Sequence, residues 1–190
     1  MNVYIATLSA SEVFRIYNGK QKIDFRKLLP KKFELPAKFI IYVQRKKPKM
    51  VNHRRINNDE LFISDGQLKY GSSFGNCIVL NKKIIGEFEC KSVDQYEVSF
   101  CNEQEHGDEY FKNIETGKIV RSNDFTERKD WENYKIEGIS ISDFRNYMHR
   151  GIRSLFGISI LNPQFYKEPK EISDFNMKMP PQMITFLGKQ

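Results

Sequence analysis

The sequence predicts an α+β fold: a mixed, mostly antiparallel sheet that curls into a small open barrel with flanking short helices. Apolar runs rich in β-forming residues recur along the chain, and few of them are joined by helical segments. A doubly wound parallel sheet is therefore not expected. The 190 residues suffice for one domain with its own core, and 13% aromatic residues argue against general disorder.

The first quarter of the chain predicts the order β-α-β-β. Residues 3–8 are rich in β-formers and predict a strand. Ser9 or Ser11 can cap a short helix that follows, and Asn18-Gly19 ends it, because both residues tolerate the left-handed conformation. Residues 39–43 are continuously apolar and predict a buried strand.

Between that helix and the buried strand, residues 22–26 alternate polar and apolar side chains. This alternation predicts a half-buried strand, because successive strand side chains point to opposite faces. Lys22, Asp24 and Arg26 then lie on one face, which we expect to meet solvent or a ligand.

The remainder of the chain predicts more strands and two less regular segments. Residues 45–75 lack clear periodicity and are interpreted as an insertion or long loop, and residues 97–135 as a variable segment that begins acidic. Further expected elements are a hairpin of residues 77–80 and 83–93 around Asn81-Lys82, a helix from Ser140 or Ser142 to Met148, strands at 152–161 and 182–187, and an extended stretch at 166–172.

The composition narrows the function classes. A net charge of +7 and a pI near 9.2 favour a polyanionic partner, nucleic acid first. The N-terminus shows no secretory pattern and no apolar stretch approaches the roughly 18 to 20 residues of a membrane span, so we expect a cytoplasmic protein without a membrane partner.

The three cysteines form no CxxC pair, and Cys101, Glu103, Glu105 and His106 match no established ligand spacing, so neither a metal nor a cofactor is expected. Cys77 and Cys90 lie in apolar runs and are expected to be small core residues.

Several motifs together resemble one known family. They are Gly19-Lys20-Gln21-Lys22-Ile23-Asp24-Phe25-Arg26 after the short helix, Ile85-Gly86-Glu87-Phe88, the predicted helix from Asp143 to Gly151 with its following strand, Lys167 to Phe175, and Pro180-Pro181-Gln182. In this order they resemble an ASCH domain of the PUA-like superfamily, of the type found in phages and mobile elements. The resemblance covers about three-quarters of the chain and leaves out residues 45–75 and 97–135.

The resemblance implies a β-barrel with two helices and a cleft beside the Gly-Lys motif that binds RNA or another nucleic acid. Lysine and arginine side chains bind phosphates, and aspartate orients them or accepts from a base amino group. The candidate binding residues are Lys20, Lys22, Asp24, Arg26 and Tyr147 at the cleft, with Arg45, Lys46, Lys47, Arg54 and Arg55 in a basic cluster that adds salt-dependent affinity.

Two further function classes stay open. Some members of the family are amidohydrolases that act on a modified cytidine, and others are reported as ribonucleases. The amidohydrolase branch has Lys and Thr two and five positions after the motif glycine, where this chain has Gln21 and Asp24, and glutamine cannot act as a base or nucleophile. If the chain is an enzyme, Lys20, Lys22 and His149 are its candidate catalytic residues. The phage-type resemblance also suggests an accessory protein that acts on a host protein, such as a defence-system inhibitor.

Overall fold

The computed structural model of the chain describes residues 1–45, 49–51, 54–56, 59–101, 108–117, 119–120, 154–181 and 183–189. The predicted helix at 140–148 lies outside the described residues, as do Lys46, Lys47, Tyr147 and His149. The described elements are β1 (Asn2–Leu8), α1 (Ala10–Tyr17), β2 (Ile23–Arg26), β3 (Ala37–Val43), β4 (Lys49–Val51), β5 (Arg54–Ile56), β6 (Glu60–Ser64), β7 (Gln67–Gly71), β8 (Ile78–Val79), β9 (Ile84–Cys90), β10 (Val93–Cys101), β11 (Asp108–Asn113), β12 (Ile119–Val120), β13 (Ser154–Ser159), β14 (Leu161–Lys170), a 3-10 helix (Ile172–Phe175) and β15 (Ile184–Lys189).

Two five-stranded sheets organise these elements. The first has the order β14-β9-β3-β1-β15 and the second the order β12-β11-β10-β13-β2. Two smaller sheets consist of β4-β5 and β7-β6-β8. Strands β1 and β3 are paired in parallel, and the other described pairs are antiparallel. The predicted mixed, mostly antiparallel arrangement is therefore confirmed for this part of the chain, whereas the open barrel stays a prediction.

The core lies on both faces of the first sheet. All seven residues of β1 are buried, because Tyr4, Ala6 and Leu8 face α1 while Val3 and Ile5 face the segment that contains the 3-10 helix. On the α1 side, the rings of Phe39 and Phe88 stack with centroids 5.1 Å apart. A strand whose two faces are both covered consists largely of apolar residues, and this explains why β1 and β3 could be predicted from the sequence.

Helix α1 begins and ends where the sequence predicts. Of the two candidate caps, Ser9 is the N-cap, and it forms a capping box with Glu12. Asn18 is the C-cap and Gly19 adopts a φ of +68°, which a residue without a Cβ tolerates at little cost.

The middle of the chain contains more paired strands than the sequence indicated. Residues 45–75, interpreted as an insertion or long loop, contain two hairpins, β4–β5 and β6–β7. The predicted hairpin around Asn81-Lys82 is wrong, because β8 pairs with β6 and β9 pairs with β3 and β14. Asn81 explains this arrangement: its side chain accepts from the Leu61 amide and donates to the Asp59 carbonyl, which ties the turn to β6.

The later strands are close to their predicted positions. The strand predicted at 152–161 is interrupted at Ile160, so that it forms β13 and the start of β14. The extended stretch predicted at 166–172 is mostly the second half of β14, and the last strand is β15. Part of the segment at 97–135 forms the hairpin of β10 and β11. Within the described residues, no helix combines the length and the apolar character needed to cross a lipid bilayer.

Candidate functional site

The segment between α1 and β2 is a tight reversal of the chain that exposes two lysines. The backbone amides of Lys20 and Gln21 both donate to the Arg15 carbonyl, at 2.8 and 3.2 Å. These bonds hold the segment against the last turn of α1. Lys20 and Lys22 are both exposed to solvent, as expected for residues that contact an anionic ligand.

Gln21 lies between these two lysines, and its side chain is 4% exposed. Its amide oxygen accepts from Arg15 Nε at 3.1 Å, and its amide nitrogen donates to the Ile23 carbonyl at 3.1 Å. Both ends of the amide are thus used to fasten the segment to α1 and β2. Gln21 has a structural role here, in the position where the amidohydrolase branch has its lysine.

Asp24 lies in the interior of the protein and is 0% exposed. The prediction that it shares a solvent-facing side of the strand with Lys22 and Arg26 is wrong, because both faces of β2 are covered and Phe25 is buried as well. Asp24 Oδ2 accepts from Arg26 Nε at 2.9 Å. Its other oxygen, Oδ1, has no hydrogen-bond partner among the described residues.

Arg26 connects this buried carboxylate to the first sheet. Its Nη2 donates to the carbonyl of Thr7 in β1 at 2.9 Å, and its side chain is 14% exposed. One guanidinium therefore joins β2, in the second sheet, to β1, in the first. Such an arrangement uses the fork of donors that distinguishes arginine from lysine.

The surroundings of Asp24 keep its carboxyl protonated to a higher pH than usual. Burial raises the pKa from 3.8 to about 6, because removal from water disfavours the charged form. The Arg26 guanidinium lowers the pKa, but not enough to offset burial, and the carboxylate of Glu12 in α1 raises it further. A carboxyl with this pKa changes its charge near neutral pH.

Cys90 lies at the end of β9, where burial and, to a smaller extent, the charge of Asp24 raise the pKa of its thiol. Hydrogen bonds with Ser159 and Ser92 only partly offset this effect. The thiol donates to the Ser92 carbonyl at 3.2 Å and is itself fully buried. The prediction of small core residues is confirmed for Cys90 but is wrong for Cys77, which is only half-buried.

The structure brings together only part of the predicted site. Lys20, Lys22, Asp24 and Arg26 lie within one continuous segment, although Asp24 is buried. Arg45 is exposed just after β3, and the backbones of Arg54 and Arg55 form part of β5. Among the described residues, no group of three or more histidine, cysteine, aspartate or glutamate side chains could hold a metal ion.

The sequence also holds exposed lysines that motif comparison missed. Lys27, Lys31 and Lys32 follow β2 and are all exposed. Their signal is compositional: residues 18–32 contain six basic residues and a single acidic one, Asp24. We call residues 18–32 the cationic segment.

Comparison with known proteins shows which fold this is. The sequence matches no protein-family model and no curated protein. The structure is similar to the crystal structure of ASCH from Zymomonas mobilis, with a TM-score of 0.53 and 16% sequence identity over 98% of this chain and 88% of that chain. Crystal structures of two single-substitution variants of that protein match with TM-scores of 0.52 and 0.53, at 17% and 16% identity, over 98% and 100% of this chain and 89% and 92% of theirs. The chain therefore has the ASCH fold, as its motifs predicted.

Proposed function

We propose that this chain binds RNA or single-stranded nucleic acid through the cationic segment. One observation carries the proposal: the segment's only carboxylate, Asp24, is buried and paired with Arg26. The charge that the segment presents to solvent is therefore positive throughout. It consists of the exposed lysines Lys20, Lys22, Lys27, Lys31 and Lys32.

A run of exposed cations suits the phosphate backbone of a nucleic acid. Each lysine that neutralises a phosphate releases condensed counterions, and for single strands the slope of log K against log salt is about −0.7 per contact. If all five lysines engage phosphates, the slope is about −3.5, and affinity falls about 100-fold between 50 and 200 mM salt. The ASCH fold and the PUA-like motifs support the same class of ligand.

The test compares two double variants with the same net charge. Wild type, Lys20→Gln/Lys22→Gln and Lys91→Gln/Lys178→Gln are titrated with a fluorescent 12-nucleotide RNA at several salt concentrations. Lys91 and Lys178 are exposed lysines outside the cationic segment. We expect the first variant to reduce the salt slope by about 1.4 and the second to leave it unchanged.

Equal losses in both double variants would mean that only net charge matters, and would refute a site at the cationic segment. Absence of wild-type binding at low salt would refute the function itself. A pull-down from host lysate with nuclease treatment examines the alternative of a protein partner, since a protein contact survives the nuclease whereas an RNA-mediated one does not.

A second candidate function, hydrolysis of RNA or of a modified nucleoside, rests on the ionisation of Asp24. Buried carboxyls whose pKa is shifted toward neutrality are concentrated at functional sites, where they serve as acids or bases. The burial of Asp24 and the occupied amide of Gln21 count against direct contact with a substrate. Turnover by the wild type that is lost in Lys20→Ala or Lys22→Ala, with the fold intact, would support hydrolysis, and turnover that persists in both would indicate a contaminant.

A further inference from the structure

A pocket of about 190 Å³ lies between the end of α1, the β6–β7 hairpin and β14. Its walls include the aromatic rings of Tyr17 and Phe165, whose centroids are 5.2 Å apart at an interplanar angle of 83°. Leu68 of β7 and Ile85 of β9 contribute apolar side chains. The β6–β7 hairpin belongs to residues 45–75, which lie outside the motifs that resemble the ASCH family, so this pocket is built partly by a segment that those motifs do not include.

An irregularity in β14 shapes the pocket. Phe165 is opposite Gly86 and Lys170 is opposite Ile84, so that four residues of β14 face the single Ile85 of β9. The extra residues interrupt the regular pairing of β14 with β9, and Pro169 among them has no amide to donate to the ladder. Bulges of this kind are over-represented beside functional sites, because they redirect side chains.

The size of the pocket limits what it can hold. An apolar cavity of about 150 Å³ accommodates one benzene molecule, and pockets for drug-sized ligands begin near 300 Å³. A volume of about 190 Å³ therefore accommodates one ring system with small substituents. A whole nucleotide is too large, but its base is not.

The chemistry of the walls points to a flat ring with an anion attached. Aromatic faces favour stacking with a planar ring, and Lys167 is the one charged residue among the described residues that line the pocket. Tyr17 is the residue directly before the cationic segment. The pocket thus adjoins a surface that favours phosphate.

We propose that this pocket takes one unstacked nucleobase, with the phosphate of the same nucleotide beside Lys167. The inference rests on the proposed function when the base belongs to a strand that follows the cationic segment. The same chemistry could also be supplied by a free mononucleotide. The two sources share the base and the phosphate, and separate titrations distinguish them.

The experiment compares a 12-nucleotide adenosine strand with a 12-nucleotide abasic strand. We expect wild type to bind the adenosine strand about 5- to 150-fold more tightly, the range measured for aromatic–base stacking. In Phe165→Ala this ratio is expected to fall close to 1, while affinity for the abasic strand is unchanged. Leu68→Trp fills the pocket without removing a wall, and it is expected to give the same loss even if Phe165→Ala proves unstable.

Phe74→Ala is the matched control, because it removes an aromatic ring that is 84% exposed and away from the pocket. It should keep the wild-type ratio. Lys167→Gln should weaken binding of both strands equally, since it removes a phosphate contact and leaves the base contact, and Lys178→Gln controls for the loss of charge.

The results of these titrations distinguish a failure of the pocket proposal from a failure of the proposed nucleic-acid binding. If wild type binds both strands equally and with salt dependence, the pocket proposal is overturned and the nucleic-acid function stands. If wild type binds neither strand, the nucleic-acid function fails, and a calorimetric titration with AMP decides about the pocket. AMP binding that Leu68→Trp abolishes supports a site for free nucleotide, and absence of AMP binding overturns the proposal.

Discussion

Asp24 gives the most direct test of how this site is built. Its pKa is raised from 3.8 to about 6, because burial outweighs the attraction of Arg26. The folded protein therefore keeps a proton on this carboxyl up to about pH 6, whereas the unfolded chain releases it near pH 3.8. The stability that the neutral carboxyl confers is fully present below pH 3.8, and it is lost as the pH rises through 6. At 1.36 kcal/mol per pH unit, the loss is about 3 kcal/mol.

The variant Asp24→Asn isolates this effect. Asparagine has nearly the same shape and does not titrate, so the change in its contact with Arg26 is a constant offset that does not depend on pH. Urea unfolding between pH 4 and 8 gives the free energy of unfolding of both proteins. The wild-type value minus the variant value is expected to fall by about 2.5 kcal/mol between pH 4 and 7, which is most of the full loss.

Asp65→Asn is the matched control for this measurement. Asp65 is exposed, and hydrogen bonds from Ser64 and Lys69 lower the pKa of its carboxyl. The corresponding difference for Asp65→Asn should therefore change in the opposite direction, rising slightly with pH. Parallel pH profiles for wild type and Asp24→Asn would refute the reasoning, because they would show that Asp24 titrates alike in the folded and unfolded chains.

Two further predictions concern the frame that holds the site. Gly86→Ala is expected to destabilise the protein by about 1–3 kcal/mol, because a Cβ there would overlap the backbone oxygen of Gln164 in β14. An unchanged midpoint of urea unfolding would contradict the tight approach of β9 and β14. Ser9→Ala is expected to lower the free energy of unfolding by about 1 kcal/mol through loss of the N-cap, whereas the exposed Ser173→Ala should change it by less than about 0.5 kcal/mol; equal effects would rule out the capping role.

The first elements of the fold were predictable because their signals are local. Ser9, Glu12 and Asn18-Gly19 lie within one short helix and its ends, and the buried strands around that helix are continuous apolar runs. The prediction of a hairpin around Asn81-Lys82 was wrong because the contact that decides the pairing is not local. Which strand β8 joins is decided by the side chain of Asn81 bonding to β6, about twenty residues earlier, and a local pattern of turn residues carries no information about that contact.

The candidate site likewise has features that the sequence predicted and features that it did not. Lys22 is exposed, as the alternation in residues 22–26 predicted, and Lys20 in the turn before it is exposed as well. Alternation in residues 22–26 predicted a solvent-facing Asp24, but it assumes that one face of the strand stays uncovered, and in β2 both faces are covered. The pocket beside α1 was not predicted at all, because it depends on the register of β14 against β9, and Pro169 is the one local sign of that irregularity.

The burial of Asp24 costs stability at neutral pH, so its presence requires an explanation beyond packing. A buried ion pair is often no more stable than an apolar pair of the same size. Here, however, the pair orients Arg26 so that its guanidinium reaches the Thr7 carbonyl and joins the two large sheets, which an apolar pair could not do. The burial of Asp24 also keeps the only carboxylate of residues 18–32 away from the surface. Moving that carboxylate to the surface would place a negative charge among five exposed lysines and would weaken the attraction for phosphate that the proposed function requires.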